Sequence, residues 1–224
     1  IHFPCTEQSA DRLLRMGEEA WRVKVVGPLG IYAMPKAEFL LREQICATLG
    51  LDPKREIVLV IQHPVSTQVA QAGEQMRIIL EAVKGFQSVV IYPNNDPGSE
   101  AMIKIIEDSG VKAFKSLPYL EFLSLLKVSS VIVGNSSTGF YETGLFGVPA
   151  VNIGDRQANR EHGSNVVNVS YDAKIIQWAV TDRQAWREPI CNPFDNKVDG
   201  VKVIMDTLFE TPVNERLLQK RIRY

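Results

Sequence analysis

The chain has 224 residues, enough for one large α/β domain or one domain plus part of another. Its 45% hydrophobic and 23% charged content is that of an ordinary folded globule, and a net charge of −1 gives no basis for binding nucleic acid or an anionic membrane. No apolar run reaches membrane-spanning length; three histidines and three widely spaced cysteines (Cys5, Cys46, Cys191) assemble no zinc motif and fit idle thiols in a reducing cytoplasm.

The opening, IHFPCTEQSADRLLRMG, reads as a strand end followed by a capped helix over Thr6 to Met16, as expected of a fragment or the ordered part of a longer chain. Val23 to Val26 predicts a short strand running into a hinge, Gly27-Pro28-Leu29-Gly30. Ala37 to Leu49 has helical periodicity and stops at Gly50. Glu56 to Gln62 is a near-continuous apolar run, the pattern of a parallel strand buried on both faces, and it ends in His63-Pro64-Val65-Ser66. A long helix is expected over Thr67 to Lys84, a strand over Ser88 to Tyr92, and a helix over Ser99 to Asp108. Val111 to Phe114 predicts a short strand, Pro118 to Lys127 a helix, and Val128 to Val133 a strand. Thr138 to Phe146 reads as one helix, Pro149 to Ile153 as a strand, and Val166 to Val169 as an edge strand. Helices over Ala173 to Val180 and Val198 to Phe209 precede a basic amphipathic tail. Strands alternating with helices through short connections predict a doubly wound, Rossmann-like parallel sheet.

In such a sheet His63, Asn94, Leu117 and Ser136-Ser137 all follow strands, and so gather along one rim where ligands bind. The turn Gly134-Asn135-Ser136-Ser137 offers two hydroxyls and the unpaired N–H groups of a helix start, an anion-binding arrangement. One serine alone is better read as a helix cap; the pair, with Glu142 a turn later to accept ribose hydroxyls and Arg156 after the next strand, favours a phosphate or nucleotide site. His63 is balanced between a structural and a functional role; at a strand end, a neutral or charged imidazole can meet a diphosphate or give it a proton. Asn94 comes first after its strand and is the ligand candidate of its turn, whereas Asp96 or Ser99 is read as a cap for the following helix. Arg160, Glu161 and His162 fit an ordinary solvated surface.

Taken together, QHPVSTQ (62–68), YPNNDPGS (92–99), GNSSTGFYETGLFGVPAVNIGDRQANREHGSNV (134–166) and the tail resemble the UDP-N-acetylglucosamine 2-epimerases, over about residues 1 to 180. The resemblance implies the C-terminal half of a two-domain GT-B fold. Residues 1–22 would end the first domain, 23–30 form the hinge, 31–208 the UDP-binding domain, and 209–224 a tail helix crossing back to the first. Gln-His-Pro-Val resembles the hydrolysing branch, which releases UDP and an N-acetylmannosamine-type sugar in a cytoplasmic route to sialic acids. On that likeness His63 meets the diphosphate and is the catalytic candidate. Asn94 and the Leu117 backbone hold UDP, Ser136 and Ser137 bind phosphate, Glu142 binds ribose, and Arg156 supports the pocket. No cofactor or metal is implied; the expected partners are UDP and a UDP-N-acetylhexosamine, with a homodimer or other homo-oligomer for the full-length protein. The 192–196 loop departs from the Gly-Asp-Gly turn frequent in relatives. Two rival functions stay open, a GT-B glycosyltransferase and a non-catalytic UDP-sugar-binding module.

Overall fold

The computed structural model describes residues 1–32, 38–182, 191–194 and 198–221. The chain divides into two compact units, residues 38–192 and residues 1–37 with 193–224.

The larger unit is built on six parallel strands: β1 (Ile57–Ile61), β2 (Gln87–Ile91), β3 (Lys112–Phe114), β4 (Val131–Gly134), β5 (Ala150–Ile153) and β6 (Val166–Val169). Their order is β3-β2-β1-β4-β5-β6, the doubly wound arrangement expected from the alternating pattern. β1 lies centrally between β2 and β4, and all five of its residues are buried. Side chains alternate across the pleat, so Val58 and Val60 enter one core layer while Ile57, Leu59 and Ile61 enter the other.

The first layer is closed by α4 (Ala72–Ala82), α5 (Ser99–Ser109) and α9 (Ala173–Thr181), which contribute Met76, Ile79, Met102, Ile106 and Ile176. The second is closed by α3 (Arg42–Leu49), α6 (Tyr119–Val128) and a turn of helix, α7 (Thr138–Tyr141), through Ile45, Leu49, Leu125, Leu126 and Phe140. Each such side chain, fully buried, contributes roughly 1.5–3 kcal/mol by leaving water.

Several predicted boundaries move for local reasons. The helix expected from Ala37 begins at Arg42, where the Leu41 N–H is taken by Gln44 Oε1 at 2.8 Å; Ala37 itself lies outside the described residues. The helix expected from Thr67 opens as a 3-10 turn (Val69–Gln71) and becomes α-helical at Ala72. Thr138 to Phe146 is not one helix: α7 ends at Tyr141 and α8 (Thr143–Phe146) follows, with Glu142 between them. α5 is entered through Gly98 at φ 99° without a side-chain cap, so neither Asp96 nor Ser99 caps it. The Asp96 carboxylate instead accepts from Asn94 Nδ2 at 2.6 Å.

In the smaller unit, α1 (Glu7–Arg15) is capped by Thr6, whose hydroxyl accepts from the Ser9 N–H. The strand expected over Val23 to Val26 is a single parallel bridge, His2 to Val23, continued by separate backbone bonds (Lys24 N to His2 O, Val26 N to Pro4 O). The expected hinge carries a short helical turn, α2 (Leu29–Tyr32). α10 (Gly200–Glu210) packs close to the chain at Val26, and the tail forms one short helix, α11 (Glu215–Leu218). Buried Arg22 donates to the carbonyls of Arg216 and Leu217 at that helix's end. Asp195 and Asn196 of the divergent loop, and residues 222–224 of the tail, lie outside the described residues.

Candidate functional site at the carboxyl ends of the strands

The sheet order reverses direction between β1 and β4, the switch point at which open parallel sheets bind their ligands. Gly134 makes the tight exit of β4 possible. Its φ is 133°, and a Cβ there would lie 2.1 Å from the Ile61 carbonyl oxygen.

Beyond Gly134, buried Asn135 faces the end of β1. Its Oδ1 accepts from the His63 N–H at 2.8 Å, and its Nδ2 donates to the His63 carbonyl at 2.8 Å. The Asn135 carbonyl accepts from Gln157 Nε2 at 2.7 Å and from Arg156 Nη1 at 3.2 Å, both in the loop after β5. From the loop after β2, the Asn94 N–H donates to His63 Nδ1 at 3.1 Å. The strand ends of β1, β2, β4 and β5 are thus linked by hydrogen bonds, and they bring together His63, Asn94, Arg156 and the start of the serine turn.

Acceptance at Nδ1 leaves the neutral ring's proton on Nε2. Desolvation, reinforced by Arg156 and opposed by Asp96, lowers the His63 pKa to about 4, so at neutral pH the ring is an uncharged N–H donor. The charged form considered from sequence is therefore disfavoured in the unliganded protein.

The serine turn is more self-contained than expected. Ser136 Oγ accepts from the Thr138 N–H at 3.3 Å, and the Ser136 carbonyl accepts from the Gly139 N–H at 3.2 Å. Those first-turn N–H groups are engaged locally instead of being free. Ser137 occupies the cap position of α7 but makes no side-chain capping bond. Both serines are half-buried. Glu142 is held largely out of water, and its Oε2 is buried with no hydrogen-bond partner; desolvation raises its pKa, partly offset by its own backbone N–H. Leu117 is half-buried against the second core layer. Among the described residues no hydrogen bond ties the Leu117 backbone or the Glu142 side chain to the His63 cluster.

Four further residues complete the rim. Asn135 and Gln157 join the loops as described. Gln62, fully buried at the end of β1, donates to the Tyr171 hydroxyl at 2.9 Å, and Tyr171 follows β6. Gln62 Oε1 and Gln157 Oε1 are buried without a protein partner; each unmet acceptor costs about 1–3 kcal/mol unless water or a ligand donates to it. The signal for Asn135 and Tyr171 was the one that selected Asn94, a polar residue just beyond a strand.

Residues 1–195 match the family model described as UDP-N-acetylglucosamine 2-epimerase. The chain is 33% identical over 182 residues to a Neisseria meningitidis protein named UDP-N-acetylglucosamine 2-epimerase, covering 79% of this chain and 48% of that protein. It is 34% identical over 180 residues to a Legionella pneumophila protein named UDP-N,N'-diacetylbacillosamine 2-epimerase (hydrolyzing), covering 77% and 48%. The chain thus spans about half the length of these relatives. The fold is similar to that of the S. aureus MnaA–UDP co-structure, with a TM-score of 0.72 at 14% identity, over 100% of this chain and 62% of the other.

Proposed function

The chain belongs to the UDP-N-acetylglucosamine 2-epimerase family, and from that premise we propose that it supplies the UDP-binding half of a hydrolysing 2-epimerase. The observation that carries this reading is the convergence of His63, Asn94, Asn135-Ser136 and Arg156 at the switch point of the sheet. The hydrolysing branch is supported by the QHPV segment and by relatives from Legionella and Campylobacter named as hydrolyzing enzymes.

In the proposed reaction a base takes the proton from sugar C2 while the anomeric C–O bond breaks, its electron pair leaving with UDP. Water then adds across the resulting C1–C2 double bond. Hydroxide goes to C1 and a proton to the opposite face of C2, which inverts that centre. No carboxylate of this chain is assigned as the base. The chain's part is to hold UDP and stabilise the charge gathering on its diphosphate. The Arg156 guanidinium and the His63 Nε2–H are the preorganised donors, with Ser136 and Ser137 lining the phosphate and Glu142 accepting from ribose. Asn94 and the Leu117 backbone complete the nucleotide contacts.

The sugar is a UDP-N-acetylhexosamine or its diacetamido relative; relatives named for each stand at 33% and 34% identity. Calorimetric titration with UDP tests the reading. Binding that weakens in Arg156→Ala and in the paired Ser136→Ala/Ser137→Ala supports it. A folded, full-length protein that ignores millimolar UDP defeats it. Release of free sugar and UDP, against an interconversion of UDP-sugars, then separates the hydrolysing branch from the other.

A further inference from the structure

Asn135 is where three of the strand-end loops meet. Its amide satisfies both main-chain groups of one residue, His63, through two bonds of 2.8 Å. Its own carbonyl receives the Gln157 amide and the Arg156 guanidinium. Strand pairing does not require this: the β1–β4 register already closes at Ile61 and Gly134, and the Asn135 bonds lie past it. An amide of this reach is the group that both accepts from an N–H and donates to a C=O. A carboxylate lacks the donor, and a hydroxyl offers both functions from a single atom.

We infer that Asn135 is the positioning residue of the cleft, fixing His63 against Asn94 and Arg156 against the serine turn without touching the ligand. With the His63 backbone held at both ends, its Nδ1 stays on the Asn94 N–H, which keeps the ring's proton on Nε2. With the Asn135 carbonyl as anchor, one Arg156 amino group is tied to the rim, which leaves the others for an anion. The consequence for UDP rests on the function proposed above; the consequence for the imidazole does not.

The test uses the full chain with Asn135→Ala, the nearly isosteric Asn135→Asp, and Asn152→Ala as a control. Asn152 is also a buried amide, but its Nδ2 donates to Asn168 across β5 and β6 and it makes no hydrogen bond to His63 among the described residues. Ring nitrogen shifts of His63, assigned with His63→Ala, are read without ligand at neutral pH. The wild type and Asn152→Ala should show one tautomer, bare at Nδ1, and the Asn135 variants a mixture. UDP affinity should fall roughly tenfold or more in the Asn135 variants. In a His63→Ala/Arg156→Ala background, Asn135→Ala should cost less than about threefold, because the residues through which it acts are gone. An unchanged tautomer in a folded Asn135 variant overturns the inference, as does a loss that is fully additive. Failure of both Asn135 variants to fold overturns it too, by making the residue a core requirement. If the wild type does not bind UDP, the proposed function fails and the tautomer alone decides the role of Asn135.

Discussion

The two rims of the same sheet are built on different plans. At the amino ends of β2 and β3, a groove of about 690 Å³ lies between the final turns of α4 and α5, lined by Lys84, Phe86, Asp108 and Val111 among others. Arg77 at its edge is an exposed partner of Glu74 and Glu81, a pairing that salt and entropy make worth little. At the carboxyl ends, the void beneath the serine turn is only about 10 Å³, yet buried amides and a guanidinium are tied there to particular backbone atoms. Open volume records where side chains fail to fill space. Hydrogen bonds between buried groups record where polar atoms are held for a purpose, because leaving them unmet is costly. The larger hollow is the less organised of the two.

Glycine substitutions should separate the rims most sharply. Gly134→Ala forces a Cβ to 2.1 Å from a carbonyl of the central strand, and is expected to cost on the order of 4 kcal/mol in urea denaturation. Gly110→Ala, at φ 67° with open space around it, should cost about 1 kcal/mol. Similar losses would break the contrast. Next in size, Arg156→Ala should reduce UDP affinity by about 1.5–3 kcal/mol, the worth of a charged hydrogen bond, while Arg77→Ala on the other rim leaves it unchanged by calorimetry. Smaller again, Ser136→Ala and Ser137→Ala should each lose about 0.5–1.5 kcal/mol of UDP binding. If both leave it intact while Arg156→Ala removes it, the phosphate lies away from the serine turn.

The subtlest effect is in pH. His63 should titrate near pH 4 by NMR, and Arg156→Ala should move its midpoint upward while Asp96→Ala moves it down. Between about pH 6.5 and 4 the unfolded chain takes up a proton that the folded protein refuses. The stabilising contribution is therefore full above 6.5 and lost as pH falls to about 4. His63→Ala should flatten that part of the stability profile.

Much of this architecture was legible because burial imprints a period on sequence. The runs EIVLVIQ and VIVG announce strands buried on both faces, and Gly50 and Gly147 end their helices in the left-handed conformation. Strand-end position alone selected His63, Asn94 and Arg156, which the structure does bring together. What pattern could not supply was the pairing of particular atoms. Gln62 with Tyr171 spans 109 residues, and Asn135 with His63 spans 72; neither leaves a period behind. The break at Glu142 was signalled only weakly: Thr138 to Phe146 has no proline, and its interior glycines, Gly139 and Gly144, weaken a helix without fixing where it divides. Val23 to Val26 had the composition of a strand but, among the described residues, one bridging partner, and composition does not count partners.

The register of the central strand has a consequence for biosynthesis. Val58 of β1 pairs with Val131 of β4, so one edge of the most apolar strand waits 73 residues for its neighbour. At translation rates of about 5–20 residues per second that interval lasts roughly 4–15 seconds. Until β4 is made, β2 can cover only the opposite side of β1, which leaves one edge of an apolar strand without its native partner. Yield in a heterologous host should therefore respond to chaperone supply and to translation speed between these two codons more than to changes made after Gly134.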